Sequence, residues 1–181
     1  MQRFRLETAN GAFHVLTDGD PDGPLVMVLH GFPDHAPGMA SVVERLAKRG
    51  YHAVAPWMRG YTPSVLEGPY HAGQLARDVL GVAEALRPGG PLRFVGHDWG
   101  AVATYAACAA APERVAAAVT LAVPHPLAFL RSLLRDGRQR RRSGYMFFFQ
   151  LRGLADTVVA RSPDFIDGLW RRWSPGYTLP P

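Results

Sequence analysis

Residues 25–29 are apolar at every position (Leu25, Val26, Met27, Val28, Leu29), the pattern of a strand covered on both faces. Before them, residues 3–8 and 12–17 alternate apolar and polar, with Phe4 and Leu6 in one run and Phe13 and Val15 in the other. Asn10-Gly11 lies between these runs and predicts a hairpin. After residue 29 the period changes. Val42, Val43, Leu46 and Ala47 recur at helical spacing over 39–48, and Gly50 closes that segment. Residues 51–55 predict another strand. Leu75, Val79, Val82, Ala83 and Leu86 mark a second helix, ended by Pro88-Gly89-Gly90. Residues 92–95 predict a buried strand, 99–110 a helix of small residues, and 115–123 an apolar strand stopped by Pro124-His125-Pro126.

Strands alternating with helices through short loops imply right-handed crossovers and an α/β fold with a mostly parallel sheet and flanking helices. Beyond Pro126 the pattern is helical. Residues 129–134 and 145–154 predict helices with an arginine-rich turn between them, and 158–169 continues with a break at Ser162-Pro163. No further strand is readable before the prolines and Tyr177 that end the chain. The expected organisation is a sheet domain over 1–124 and a helical layer over 125–181, lying on the carboxyl edge of the sheet.

Two loops carry the candidate chemistry. His30-Gly31-Phe32-Pro33-Asp34 follows one central strand, and Gly96-His97-Asp98-Trp99-Gly100 follows another. Ligands of parallel sheets bind beyond the carboxyl ends of the strands, so the two loops are expected to meet in one crevice. The sequence G-x-D-x-G has the form of a nucleophile elbow with aspartate where serine is usual. Glycine at both flanks lets strand and helix approach closely and holds the central residue in a strained conformation. An aspartate there changes the chemistry. A carboxylate attacks amides poorly, but it displaces a leaving group at an sp³ carbon and forms an alkyl-enzyme ester. A strained epoxide or a carbon–halogen bond suits it. Cleaving that ester places an oxyanion on the aspartyl carbonyl, which calls for backbone N–H donors. The competing reading of Asp98 is a helix N-cap at the strand-to-helix corner. His30 and His97 read as braces for their loops, and Asp34 and Arg59 as loop-ordering residues.

Composition narrows the partners. The net charge of +5 rests on arginine, since Lys48 is the only lysine. Six arginines lie between Arg131 and Arg142 without interleaved aromatics, a solvated turn rather than a nucleic-acid site. The single cysteine, Cys108, excludes an internal disulfide and points to a cytoplasmic setting; it reads as a small buried residue. No apolar run has transmembrane length and the first residues carry no apolar signal region, so no membrane partner is expected. His30 and His35 straddle a proline turn and do not form a metal motif; no nucleotide-binding glycine pattern is present, so neither metal nor cofactor is expected.

His30-Gly31-Phe32-Pro33-Asp34, Arg59-Gly60-Tyr61 and Gly96-His97-Asp98-Trp99-Gly100-Ala101 occur in this order. In that combination the chain resembles an α/β-hydrolase of the epoxide-hydrolase type, a family related to the haloalkane dehalogenases. Tyr145-Met146-Phe147-Phe148-Phe149-Gln150 also resembles the start of that family's helical cap. The resemblance implies a small apolar substrate such as an epoxide and no cofactor. It makes Asp98 the nucleophile and the N–H groups of Phe32 and Trp99 the oxyanion donors. His30, Gly31, Pro33, Gly96, His97 and Gly100 then shape the site. Tyr145 matches the cap tyrosine that protonates the opened epoxide; an ordinary packing aromatic is the rival reading of that residue.

Family members supply a histidine base and its orienting acid after later strands. Downstream of Asp98 this chain has one histidine, His125, inside Pro-His-Pro, while Asp156, Asp164 and Asp167 fall in the expected cap helices. The resemblance thus implies a C-terminally truncated member, impaired in turnover, with the strand at 115–123 on an open sheet edge. Two alternatives stand beside it. One is haloalkane dehalogenation, for which Trp99 offers a halide donor and Phe32 lacks a polar side chain. The other is a non-catalytic fragment or binding protein that keeps an apolar crevice.

Overall fold

The computed structural model describes residues 1–151, 153–162, 164–174 and 176. In it β1 (Gln2–Thr8) and β2 (Gly11–Asp18) pair antiparallel, with Thr8 opposite Gly11. The turn is therefore Ala9-Asn10, and Gly11, at φ 119°, already belongs to β2. The expected Asn10-Gly11 turn is displaced by one residue. Thr8 causes this: its hydroxyl accepts the Asn10 N–H at 3.1 Å and donates to the Gly11 carbonyl at 2.8 Å.

β3 (Leu25–Leu29), β4 (His52–Pro56), β5 (Leu92–His97) and β6 (Val115–Leu121) complete a six-stranded sheet of order β1-β2-β4-β3-β5-β6. β4, β3, β5 and β6 run parallel, and β1 and β2 form the antiparallel side. All of β3 is buried, as its unbroken apolar run requires at the centre of a sheet covered on both faces. Three helices cover those faces: α1 (Ala40–Ala47, after a 3-10 turn at Ala36–Met39), α2 (Ala72–Leu86) and α3 (Trp99–Ala110). Val43 of α1 packs with Leu16, Val26, Val28 and Ala55. On the other side, Leu75, Val79 and Val82 of α2 and Ala103 and Ala107 of α3 pack with Phe13, Met27 and Phe94.

The crossovers decide where a site forms. From β3 the chain steps to β4 on one side, then returns to β5 on the other. The direction reverses at β3, so the loops after β3 and β5 part company at a switch point, with Leu29 paired to Gly96 at their carboxyl ends.

The chain clusters into two compact units, Met1–His125 and Pro126–Pro181. The second contains α4 (Pro126–Arg135), α5 (Gly137–Arg142), α6 (Gly144–Phe148), α7 (Leu154–Arg161) and α8 (Phe165–Trp173). Two expectations are corrected here. The arginine-rich segment is a short helix, α5, rather than a turn. The Asp136 side chain caps it by accepting the Arg138 N–H at 2.8 Å, and arginine is a good helix former. The helix expected over 145–154 is broken: α6 ends at Phe148, and Gly153, at φ 79°, separates it from α7. Pro163 and Tyr177 lie outside the described residues. Among the described residues no helix is long and apolar enough to cross a membrane, and no group of His, Cys, Asp and Glu is arranged to hold a metal ion.

Candidate active site

The loop after β5 turns directly into α3. Packing demands the glycines: a Cβ on Gly100 would strike the Leu29 backbone, and one on Gly96 would strike Gly100 and Thr104. Asp98 sits between them at φ 51° and ψ −116°, a conformation that disfavours any residue with a Cβ. Backbone bonds on both sides hold it there. Its N–H donates to the Leu121 carbonyl of β6 at 3.2 Å, and its carbonyl accepts from Ala101 and Val102 at 2.9 and 3.1 Å.

The Asp98 side chain does not cap α3. Its Oδ1 instead accepts the backbone N–H of Phe32 at 2.9 Å, so the loop after β3 meets the loop after β5. The same approach leaves no space at Gly31, where a Cβ would strike Asp98 Cβ and Oδ1. Asp98 also stands at the N-terminus of a twelve-residue helix, where the helix dipole favours a negative charge. The N–H of Trp99 makes no hydrogen bond among the described residues, and the Trp99 residue is 40% exposed.

His30 braces this arrangement. It is fully buried, and its Nε2 accepts the Met58 N–H at 3.1 Å. The proton must therefore lie on Nδ1, which donates to the Gly31 carbonyl at 3.0 Å. Burial pushes its pKa below the ordinary value, with the Gly31 bond opposing in part, and the ring stays neutral. Arg59 anchors the neighbouring loop. Its Nε and Nη2 grip Asp78 at 2.7 and 2.8 Å, while Nη1 and Nη2 donate to the carbonyls of Glu67 and Asn10 at 2.6 and 2.7 Å. Asp34 Oδ1 accepts the His35 N–H at 2.7 Å and orders its own turn.

Residues 24–157 match the family described as the alpha/beta hydrolase fold. The chain belongs to the α/β-hydrolase fold family. Several proteins similar to it are named epoxide hydrolases. It is 34% identical over 169 residues to epoxide hydrolase A of Mycobacterium tuberculosis, across 88% of this chain and 51% of that protein. It is 31% identical over 192 residues to an epoxide hydrolase of Caballeronia sordidicola, across 97% of this chain and 56% of that protein. Among solved structures, an epoxide hydrolase of Vigna radiata superposes with a TM-score of 0.77 at 28% identity, covering 99% of this chain and 59% of the other. The chain spans about half the length of the curated relatives it matches.

Other α/β-hydrolase residues singled out from the sequence lie as follows. His97 is half-buried at the end of β5. His125 lies with its ring edge-on to Tyr105, 5.6 Å away, and Tyr105 in turn bonds Thr120 and the Val123 carbonyl at 2.8 and 3.2 Å. Tyr145 belongs to the second unit, where its ring contacts Trp173 at 4.9 Å and Phe149 at 6.3 Å. Cys108, expected to be buried, is half-buried, and burial pushes its thiol pKa up. One residue given no role from the sequence does touch the site: the Tyr61 ring stands edge-on to His30 at 4.7 Å and its hydroxyl reaches the Gly31 carbonyl at 3.4 Å. Its only sequence signal was its place in Arg59-Gly60-Tyr61 after a strand end.

Proposed function

We propose that this chain captures small apolar epoxides as an ester on Asp98, the first stage of an epoxide-hydrolase reaction. The observation that carries this reading is the Phe32 N–H held at 2.9 Å from Oδ1 of an aspartate kept at φ 51°. The donor fixes one carboxylate oxygen and leaves Oδ2 to attack. An Oδ2 lone pair forms a bond to an epoxide carbon as the ring C–O bond breaks. The released electron pair stays on the epoxide oxygen, which takes a proton from an acid, the role we assign to Tyr145. Water then adds at Cγ, and the ester carbonyl oxygen becomes an oxyanion received by the N–H groups of Phe32 and Trp99. As that intermediate collapses the Cγ–O bond to the diol breaks, the diol oxygen takes the proton of the added hydroxyl and the carboxylate is restored, while the proton the water gave up on attack returns to the Tyr145 oxygen. The names of the relatives support an epoxide as the substrate class.

The second stage needs a base for the attacking water. His30 has both ring nitrogens engaged, and the His125 ring lies on Tyr105. On this reading, capture outruns release in these 181 residues. Incubation with styrene oxide followed by intact-mass measurement tests this. One covalent addition on the peptide containing Asp98, absent in Asp98→Asn, is expected. Steady diol release without an adduct would overturn impaired turnover; neither adduct nor diol would overturn capture, and equal ligand binding by the parent and Asp98→Asn would then support a binding protein.

A further inference from the structure

The peptide unit joining Gly31 and Phe32 is engaged at both ends. Its N–H donates to Asp98 Oδ1 at 2.9 Å. Its carbonyl oxygen accepts from His30 Nδ1–H at 3.0 Å and, at the longer distance of 3.4 Å, from the Tyr61 hydroxyl. A peptide group is conjugated, so donors on its oxygen draw density from its nitrogen and strengthen the N–H as a donor. They also fix the peptide plane, and with it the direction in which the N–H points.

Tyr61 is well held for this. Its ring meets His30 edge-on, with an interplanar angle of 84°, and it packs against both cores of the sheet domain. Burial, then the charges of Asp98 and Asp34, push its pKa up to about 12, so the hydroxyl keeps its proton throughout the neutral range.

We infer that Tyr61 is a positioning residue: its hydroxyl, acting through the Gly31–Phe32 peptide, orients and polarises the N–H that receives the oxyanion when the Asp98 ester is cleaved. This rests on the reading of Asp98 as the nucleophile. The two chemical stages respond differently. During capture Asp98 loses its negative charge, so a stronger N–H donor gives no acceleration. During ester cleavage the charge appears on the oxygen that the N–H faces, and a stronger donor stabilises it.

Tyr61→Phe in the full chain separates these stages while keeping the ring. In the ligand-free protein the Phe32 amide proton is expected to move upfield in a proton–nitrogen correlation spectrum, with an unchanged melting temperature. In the styrene oxide adduct, hydroxide adds at Asp98 Cγ, the ester C–O bond to the diol breaks, and the departing alkoxide takes a proton from water. That release is expected to slow about two- to tenfold while adduct formation stays within about twofold of the parent. An unmoved Phe32 resonance, or equal slowing of both stages together with a lower melting temperature, overturns the inference. A parent chain that forms no adduct overturns the capture reading instead, and the Phe32 resonance then still decides whether Tyr61 acts on this peptide.

Discussion

Phe32 donates its N–H to Asp98 Oδ1 at 2.9 Å although 66 positions separate the two residues. The contact exists because Gly31 has no side chain: a methyl there would strike Asp98 Cβ and Oδ1. Gly31→Ala should push the loop and the carboxylate apart. A displacement near 1 Å at a reacting group costs on the order of a hundredfold, so adduct formation with styrene oxide should fall by about that factor. Overpacking should also cost about 1–3 kcal/mol in urea denaturation. A parent-like rate of adduct formation would mean that the Phe32 N–H plays no part in capture.

Arg59 and Asp78 form a buried ion pair, with side chains only 5% and 3% exposed. Every nitrogen of the guanidinium is used, and Gln74 Nε2 adds a further bond to Asp78 Oδ1 at 2.8 Å. Removing one partner strands the other charge, so Arg59→Ala should cost about 3–5 kcal/mol in urea denaturation. Arg59→Lys should recover little, because one ammonium cannot reproduce a two-pronged grip on a carboxylate and reach two carbonyls as well. Full rescue by lysine would show that only charge matters at this site.

The sheet was legible wherever a local pattern decided the structure. The apolar run at 25–29 became the buried β3, and the small-residue segment at 99–110 became α3. The glycines around Asp98 announced a close strand–helix approach, and the packing at Gly96 and Gly100 agrees. What stayed hidden depended on partners distant in the chain or on single side chains. Thr8 moved the hairpin turn, and Asp136 turned an expected loop into α5. Tyr61 drew no role because its partner, the Gly31 carbonyl, lies 30 positions away. The contact follows from the chain reversing its direction at β3, which no short pattern contains.

Two histidines make stability depend on pH. Burial lowers the pKa of His30 below 6.5, and burial with the nearby Arg87 charge does the same for His52. Unfolded chains take up these protons near pH 6.5 while the native state resists, so the unfolded state binds more protons and stability falls as pH drops through that value. Above it neither histidine contributes a slope. Each contributes at most about 1.4 kcal/mol per pH unit within its window. Glu44 and Glu84 have lowered values for a different reason, bonds to Lys48 and to the Gly89 N–H respectively. Their stabilisation is lost only as pH falls below 4.5, outside the histidine window. Urea denaturation between about pH 5 and 7.5 should show a positive slope that flattens above about 6.5, and His52→Gln should reduce it. Stability that rises toward low pH would contradict the burial of both rings.

β6 carries the last expectation. Its seven residues, Val115–Leu121, include no charge, and among the described residues it pairs only with β5. Tyr105 of α3 bonds the Thr120 hydroxyl at 2.8 Å, which sets the helix-covered face. Side chains alternate along a strand, so Val119 and Leu121 point to the opposite face, where they are 54% and 48% exposed. An uncharged strand with a free row of N–H and C=O groups is a template for pairing with another chain. The 181-residue chain should therefore self-associate with increasing concentration, and sedimentation velocity would record it. Val119→Lys places a charge on that edge, the device by which sheet proteins resist such pairing. At so exposed a position it should change folding stability by no more than about 0.5 kcal/mol while returning the chain to monomer. If the parent sediments as a monomer at every concentration, the β6 edge is protected by something its sequence and exposure do not reveal. If the lysine variant associates as strongly as the parent, a surface other than β6 joins the copies.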